Sequence, residues 1–233
     1  MFIADYGDPY SYKQGQLAPR LHRWLEKRML SKFNHILVPT EIMVSTFEKL
    51  KNKSAIHVLP QALNLNAFET AKELSSAKDN VVNLYYAGNF YSDIRNPKEL
   101  FRHLIDSKLN FVFHVFTNTK DSDNMGILRT YAKQLNTRLV VRHLLPREEC
   151  IYEMSKGDFL VNVSNSTSNQ LPSKLIDYKL TGRPIYSYSP GNFDGDLFNE
   201  FMSGNNMNDQ SKHIDITSFD ISKAIKKIES LKS

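Results

Sequence analysis

The chain has 233 residues, of which 41% are hydrophobic and 24% are charged, and it carries a net charge of +5. That length suits one large domain or two small ones and excludes a large multidomain enzyme. No apolar run approaches the roughly 18 residues that cross a bilayer, and the Gly and Pro contents exclude a collagen-like or low-complexity chain. The N-terminus lacks a signal-peptide pattern and the single cysteine, Cys150, has no internal disulfide partner, so we expect a globular, cytoplasmic protein.

The positive charge is concentrated near the N-terminus, where six Lys or Arg and a single Glu lie between residues 13 and 33. Hydrophobic periodicity predicts a helix over 16–32, with Leu21, Trp24 and Leu25 near one face and basic side chains on the others. Such a helix either docks on its own domain with solvated charges or lies on anionic lipid. The second interpretation would attach the protein peripherally to the inner face of the membrane.

Short β-branched and aromatic runs predict strands, and helical periodicity predicts helices, in alternation along the chain. The predicted strands are 2–5, 35–38, 55–59, 82–87, 111–116, 138–143, 159–163, 184–188 and 213–216. The predicted helices after 16–32 are 41–50, 97–107, 124–135, 147–155, 172–180 and 219–231. Because several strands are apolar throughout, the sequence predicts an α/β fold with parallel sheets covered by helices on both faces.

A change of composition at 69–80, which has almost no large apolar residue, predicts a linker. Residues 81–233 after it are long enough for a complete doubly wound domain. Residues 1–68 before it contain too few predicted strands and helices to cover a parallel sheet on both faces. We therefore expect the first part to be the back part of a second domain.

Polar loops follow two predicted strands, at the sheet edge where α/β proteins bind ligands. Residues 164–171 after the strand 159–163 are rich in Ser and Asn, and Pro172 would begin a helix whose free N–H groups face this loop. Lys174 in the first turn calls for an anion, and Asp177 one turn later can accept hydrogen bonds from a diol. A nucleoside diphosphate has both groups, although a surface loop with an ordinary helix cap explains the same residues.

The loop after the strand 82–87 begins with Gly88, which allows close backbone approach to a phosphate, and contains Arg95, which can bind one bidentately. The alternative is a turn that needs glycine for its own geometry. Taken together, residues 86–97 and 171–185 resemble family 4 glycosyltransferases of the GT-B fold. The second stretch matches the family pattern Pro-Ser-Lys-x-x-Glu-Tyr-x-x-x-Gly-Lys/Arg-Pro, except that Asp177 replaces Glu. Residues 56–68 also resemble the family's hinge stretch.

This resemblance implies a metal-independent transferase without a cofactor, whose C-terminal Rossmann-like domain binds a nucleotide-diphosphate sugar. Asp177 would bind the ribose, and Asn89 stands where the family often has Arg. Asn169, an amide, stands where the family has the first acid of a pair. The segment 142–146 would hold the base. The implied donor-site residues are Gly88, Asn89, Arg95, His143, Leu144, Asn165, Asn169, Pro172, Ser173, Lys174 and Asp177.

The acceptor side is implied to come first in the chain. Asp8 is the first candidate for contacting the acceptor and Asp5 the second, although a turn built from Asp, Gly and Pro explains the same residues. We expect a saccharide or lipid-linked saccharide acceptor in cell-surface polysaccharide biosynthesis. A nucleotide-sugar-binding subunit without transferase activity is the alternative. Since GT-B enzymes have two full domains, we also expect a missing N-terminal segment or a separate subunit.

Metal and nucleic-acid binding find little support in the sequence. Two Asp-x-Asp patterns, at 121–123 and 194–196, match a manganese motif of another glycosyltransferase fold, but such short patterns arise readily by chance. The seven histidines show no zinc-binding spacing. The loops are rich in Ser and Asn rather than basic with interleaved aromatics, so we expect no nucleic-acid partner.

Overall fold

The structure, a computed structural model, describes residues 1–7, 19–68, 81–165, 173–205 and 209–232. The predicted linker 69–80 and three predicted site residues, Asp8, Asn169 and Pro172, lie outside the described residues. Within them the strands are β1 (Ile3–Asp5), β2 (His35–Val38), β3 (Ile56–Val58), β4 (Val82–Ala87), β5 (Phe111–Thr117), β6 (Leu139–His143), β7 (Phe159–Val163) and β8 (Ile185–Tyr188). The helices are α1 (Pro19–Leu30), α2 (Glu41–Phe47), α3 (Lys98–Asp106), α4 (Ser122–Leu135), α5 (Arg147–Met154), α6 (Ser173–Leu180), α7 (Gly195–Met202) and α8 (Ile221–Ser230). No helix in these ranges is long and apolar enough to cross a membrane.

The chain forms two compact units, unit 1 (Met1–Leu65 and Thr217–Ser233) and unit 2 (Asn66–Ile216). Unit 1 contains a parallel sheet of the order β1-β2-β3. Its core includes Ile36 and Val38 of β2 together with Phe47 of α2, all buried. Apolar side chains of β2 therefore pack against the helix that follows it.

The C-terminal segment differs from the sequence-based division, which placed all of 81–233 in one domain. The Leu63 N–H donates to the Phe219 carbonyl at 2.7 Å, and the Ile221 N–H donates to the Leu63 carbonyl at 2.9 Å. These two bonds attach the start of α8 to unit 1. Because the partners are more than 150 residues apart in sequence, local periodicity carried no sign of this pairing.

Unit 2 is built on a parallel sheet of the order β6-β5-β4-β7-β8. One face packs a core that includes Phe113 of β5, Phe101 of α3 and Phe198 of α7. The opposite face packs Leu160 of β7 against Ile151 of α5 and other residues of α5 and α6. Helices thus cover both faces, as the apolar strands predict, and β4 lies at the centre of the sheet.

Two predicted features of unit 2 are wrong. Residues 213–216 are not a strand, because 3-10 helices occupy Gln210–His213 and Ile216–Phe219. The Asp209 carboxylate caps the first of them by accepting the Ser211 N–H, and it also accepts the Ile185 N–H of β8.

Helix α7 was not among the helices predicted from the sequence. The Asp194 side chain caps its first turn. In the same way Asp121 caps α4, so the first Asp of each Asp-x-Asp pattern has a structural partner.

His114 on β5 gives unit 2 a predictable pH dependence. Burial, helped by the charge of Arg142, lowers the pKa of His114 to about 4, while its ring stacks on Tyr85 at 4.4 Å. Between pH 6.5 and pH 4, His114 is mostly protonated in the unfolded chain and mostly neutral in the folded chain. We therefore expect the free energy of unfolding to fall between pH 7 and pH 5, by about 1 kcal/mol after discounting for partial exposure.

Urea denaturation of the full chain at pH 7 and at pH 5 measures this loss in the free energy of unfolding. His114→Phe keeps the stacked ring but does not titrate, so it should remove that part of the pH dependence. His213→Gln, at an exposed histidine, is the matched control and should leave it intact. An unchanged pH dependence in His114→Phe would contradict the assignment to His114.

Candidate functional site

The central feature of unit 2 is a crevice where β4 and β7 separate. β4 pairs with β5 along its whole length, from Val82 to Ala87, but it pairs with β7 only at Leu84 and Tyr85. Beyond these residues the two carboxyl ends diverge. From β4 the sheet continues to β5 on one side and to β7 on the other, so this is the topological switch point at which such sheets bind ligands.

Tyr178 of α6 fills the inner end of this crevice. Its hydroxyl accepts the Ala87 N–H at 2.7 Å and donates to the Ala87 carbonyl at 3.3 Å. These are backbone groups on the side of β4 that β7 no longer reaches. The side chain is fully buried, and burial raises the pKa of Tyr178 well above its usual value. The neutral Tyr178 hydroxyl thus takes the place of the hydrogen bonds that β7 would otherwise make to Ala87, the residue before Gly88.

Hydrogen bonds within the protein fix the conformation of the loop after β4, which begins at Gly88. Gly88 has φ of +131°, a conformation that other residues rarely adopt, and its N–H donates to the Phe116 carbonyl. The Asn89 amide oxygen accepts from the Thr117 hydroxyl and the Asn118 N–H, both at 3.0 Å. The buried Asn124 side chain accepts the Phe90 N–H. The Asn89 side chain is therefore engaged within the protein, although the sequence analysis assigned it to the ligand.

Two cationic side chains lie at this crevice. The Lys174 ammonium group donates to the Val163 carbonyl at 3.0 Å and lies 4.9 Å from the centre of the Tyr86 ring. Arg95 donates through Nε and Nη2 to the Asn165 amide oxygen, at 3.0 and 2.8 Å. Burial, and secondarily the charge of Arg95, lowers the pKa of Lys174 well below its usual value. Neither cation forms an ion pair with a carboxylate among the described residues.

Asp177 lies one helical turn after Lys174 and has a partner that the sequence analysis missed. Arg147, the first residue of α5, donates through Nε and Nη2 to Asp177 Oδ1. The guanidinium group also lies 5.6 Å from the Phe68 ring centre. Burial raises the pKa of Asp177 and Arg147 opposes that rise. Because both bonds go to Oδ1, Oδ2 accepts no hydrogen bond from the described part of the chain. Arg147 directly follows the predicted base-binding segment 142–146, and this position is the sequence feature that associates it with the site.

The remaining predicted residues lie at two places. His143 ends β6, where its Nδ1 is 2.9 Å from the Thr119 hydroxyl, and Leu144 beside it is 40% exposed. Both lie at the carboxyl edge of the sheet of unit 2. Asp5 ends β1 of unit 1 and is exposed. Ser173 begins α6, and its side chain is outside the described residues.

A cavity of about 630 Å³ lies beside α5. Its walls include Phe116, Arg142 and Leu145, together with three carboxylates of α5, Glu148, Glu149 and Glu153. Arg142 and Leu145 belong to the predicted base-binding segment 142–146, whereas the predicted phosphate and ribose residues Arg95, Lys174 and Asp177 do not line the cavity. Three carboxylates against one guanidinium group make it unfavourable for a diphosphate.

Similar solved structures were found, whereas no family model and no curated protein matches the chain. Anabaena HepE in complex with UDP-glucose matches with a TM-score of 0.68 at 11% identity, over 99% of this chain and 71% of HepE. A glycosyltransferase from Rickettsia africae matches at 0.66 and 8%, over 98% and 69%. Sucrose-phosphate synthase from Thermosynechococcus elongatus matches at 0.64 and 12%, over 99% and 66%.

These similarities establish the fold. It is α/β and of the GT-B type, with a doubly wound Rossmann-like unit and part of a second one, as the sequence predicted. The similar structures extend beyond the match by about a third of their length. Membership of glycosyltransferase family 4 stays a prediction.

The hydroxyl of Tyr178 can be tested directly. Tyr178→Phe leaves the N–H and carbonyl of Ala87 without their partner, so we expect a loss of about 1 to 3 kcal/mol in the free energy of unfolding. Equilibrium urea denaturation measures it. Tyr152→Phe, at a tyrosine that is 40% exposed on α5, is the matched control and should cost little. Equal stability of Tyr178→Phe and the parent chain would show that the hydroxyl does not support β4.

Proposed function

We propose that the crevice of unit 2 binds the diphosphate of a nucleotide-sugar donor and that the protein is a metal-independent glycosyltransferase. The observation that carries this proposal is the pair of cations, Lys174 and Arg95, at the switch point of a parallel sheet. Neither has a carboxylate partner among the described residues, and the charge of one disfavours the other. A diphosphate between them would relieve that repulsion.

The other groups suit the rest of a nucleotide. Gly88 allows the ligand to approach the backbone, and Asp177 Oδ2 can accept hydrogen bonds from ribose hydroxyls while Arg147 holds Oδ1. We propose that His143 and Leu144, at the carboxyl edge of the same sheet, contact the base. We propose that Asn89 acts indirectly, because its side chain fixes the loop that carries Gly88. The similarity to HepE, solved with UDP-glucose, supports a UDP-sugar as the first donor to test.

Transfer breaks the bond between the sugar and the diphosphate, which leaves with developing negative charge. Lys174 and Arg95 would stabilise that charge, which is why no metal ion is needed in the proposal. The acceptor hydroxyl must lose a proton, and Asp8 is the first candidate to contact it, with Asp5 second. We propose a saccharide or lipid-linked saccharide acceptor in cell-surface polysaccharide biosynthesis, and a cytoplasmic location.

Calorimetric titration with UDP and GDP tests the donor site. Lys174→Met and Asp177→Asn should each weaken binding by about tenfold or more, since a hydrogen bond to a charged group contributes roughly 1.5 to 3 kcal/mol. Lys179→Met, on the same helix but without a bond to the crevice, is the control and should bind like the parent chain. If the parent chain binds no nucleoside diphosphate, the proposal fails.

The lowered pKa of Lys174 adds a test by pH. Bound diphosphate favours the protonated ammonium group, so binding should take up a proton as the pH approaches the pKa of Lys174 from below. Nucleotide affinity should consequently fall at alkaline pH. Calorimetry in buffers of different ionisation enthalpy measures the proton uptake. Lys174→Met should abolish it and Lys179→Met should retain it; uptake that persists in Lys174→Met would assign it to another group.

The second candidate function is a nucleotide-sugar-binding subunit that transfers no sugar alone. It is supported by unit 1, whose sheet has three strands in the described residues against five in unit 2. A radiolabelled UDP-sugar, incubated with saccharide acceptors in the presence of a chelator, separates the two. We expect donor binding with poor transfer by this chain alone. Robust turnover without a second protein would contradict that expectation and favour a self-sufficient enzyme.

A further inference from the structure

Helix α1 exposes an unusual amount of apolar surface. Leu21, Trp24, Leu25 and Met29 are 53%, 54%, 47% and 41% exposed, and we call these four residues the outer stripe. Their spacing of three, four and eight residues from Leu21 places them along one side of the helix. The inner side of α1 is anchored separately: Leu30 is fully buried, and the buried Glu26 accepts a hydrogen bond from the Tyr6 hydroxyl at 2.8 Å.

Basic side chains border the outer stripe. They are all exposed, and the Arg28 guanidinium group lies 5.5 Å from the centre of the Trp24 ring. The only acidic residue of α1 is the buried Glu26, so the exposed surface of this helix carries positive charge alone. The bordering residues are Arg20, Arg23, Lys27, Arg28 and, just after the helix, Lys32.

The charge of unit 1 as a whole has the same sign. Its sequence contains 13 Lys and Arg against 7 Asp and Glu, a net charge of +6, which leaves a net charge of −1 for unit 2. The entire positive excess of the protein therefore belongs to the unit that carries α1. A partner of α1 must accept apolar side chains and positive charge together.

We propose that α1 docks on an anionic lipid surface, with the outer stripe in the acyl boundary and the basic residues at the phosphate groups. A helix that only docks on its own unit explains Glu26 and Leu30 but leaves about half of each of four large apolar side chains exposed in the described part of the chain. A nucleic acid would accept the charge and leave the stripe exposed. Anionic lipid satisfies both requirements. The proposal does not depend on the donor site, but it would bring the enzyme to a lipid-linked acceptor.

Trp24 is the only tryptophan of the protein and reports on its own surroundings. We expect its fluorescence to shift to shorter wavelength with vesicles of phosphatidylcholine and phosphatidylglycerol, and brominated lipids to quench it. Vesicles of phosphatidylcholine alone should have little effect, and the protein should float only with the anionic vesicles. Absence of any shift and of flotation would overturn the proposal.

Two sets of variants separate the contributions. Arg23→Glu with Lys27→Glu should weaken binding to anionic vesicles by about tenfold or more, because each basic residue near such a surface contributes about 1 kcal/mol, or roughly fivefold. Leu21→Ser with Leu25→Ser should lose the quenching by brominated lipids. Lys226→Glu with Lys232→Glu makes the same charge change elsewhere in unit 1 and should leave binding nearly intact. If the control variant lost vesicle binding to the same extent, the overall charge of the protein would explain the loss, and a site on α1 would be contradicted.

A second copy of the chain is the competing occupant. In that case Trp24 would become shielded as the protein concentration rises without lipid, which sedimentation would detect as a dimer, and the proposal would be wrong. UDP titration of the same variants keeps this question apart from the donor site. Loss of vesicle binding with intact UDP binding would concern α1 alone, and loss of UDP binding with intact vesicle binding would concern the donor site alone.

Discussion

The separation of β4 from β7 is the constraint on which the site of unit 2 depends. Parallel strands satisfy each other's backbone groups only while they stay in register, and here the pairing stops at Tyr85. The hydroxyl of Tyr178 bonds both backbone groups of Ala87 and so allows the strands to diverge without leaving buried polar groups unsatisfied. The resulting crevice receives Gly88 from one loop and Asn165 from another. A tyrosine of α6 thus supports the crevice beside which Lys174 of the same helix lies.

The two charged pairs of the site have opposite energetic character. Arg147 and Asp177 have opposite charges, and the two hydrogen bonds between them orient one carboxylate oxygen. Lys174 and Arg95 instead carry like charges: burial, and secondarily the charge of Arg95, lowers the pKa of Lys174. A like charge nearby disfavours the charged form of a buried group. The arrangement of these two cations is understandable as strain that an anionic ligand removes, which is the electrostatic pattern common at binding sites.

Local features could be predicted from the sequence because they depend on neighbouring residues. Apolar runs predicted the bounds of β4, β5 and β7 to within one residue, whereas the binding role that the motif from Ser173 to Asp177 implies stays a prediction. Partners distant in sequence could not be predicted in the same way. The bond of Arg147 to Asp177 and the attachment of α8 to Leu63 each join segments that only the folded chain brings together. The missed helix α7 depends on its Asp194 cap, which was considered as a metal motif because one carboxylate suits either role.

The charge of the chain is divided unequally, with a net charge of +6 in unit 1 and −1 in unit 2. Two of the cations of unit 2, Lys174 and Arg95, lie at one crevice, where a small anion would be surrounded on several sides. In unit 1, five of the 13 Lys and Arg lie on or just after α1, next to apolar side chains that are about half exposed. An anion bound there would have to be part of a surface that also offers an apolar layer. A free nucleotide offers no such layer and anionic lipid does, so the chemistry of the two proposed sites calls for two different ligands.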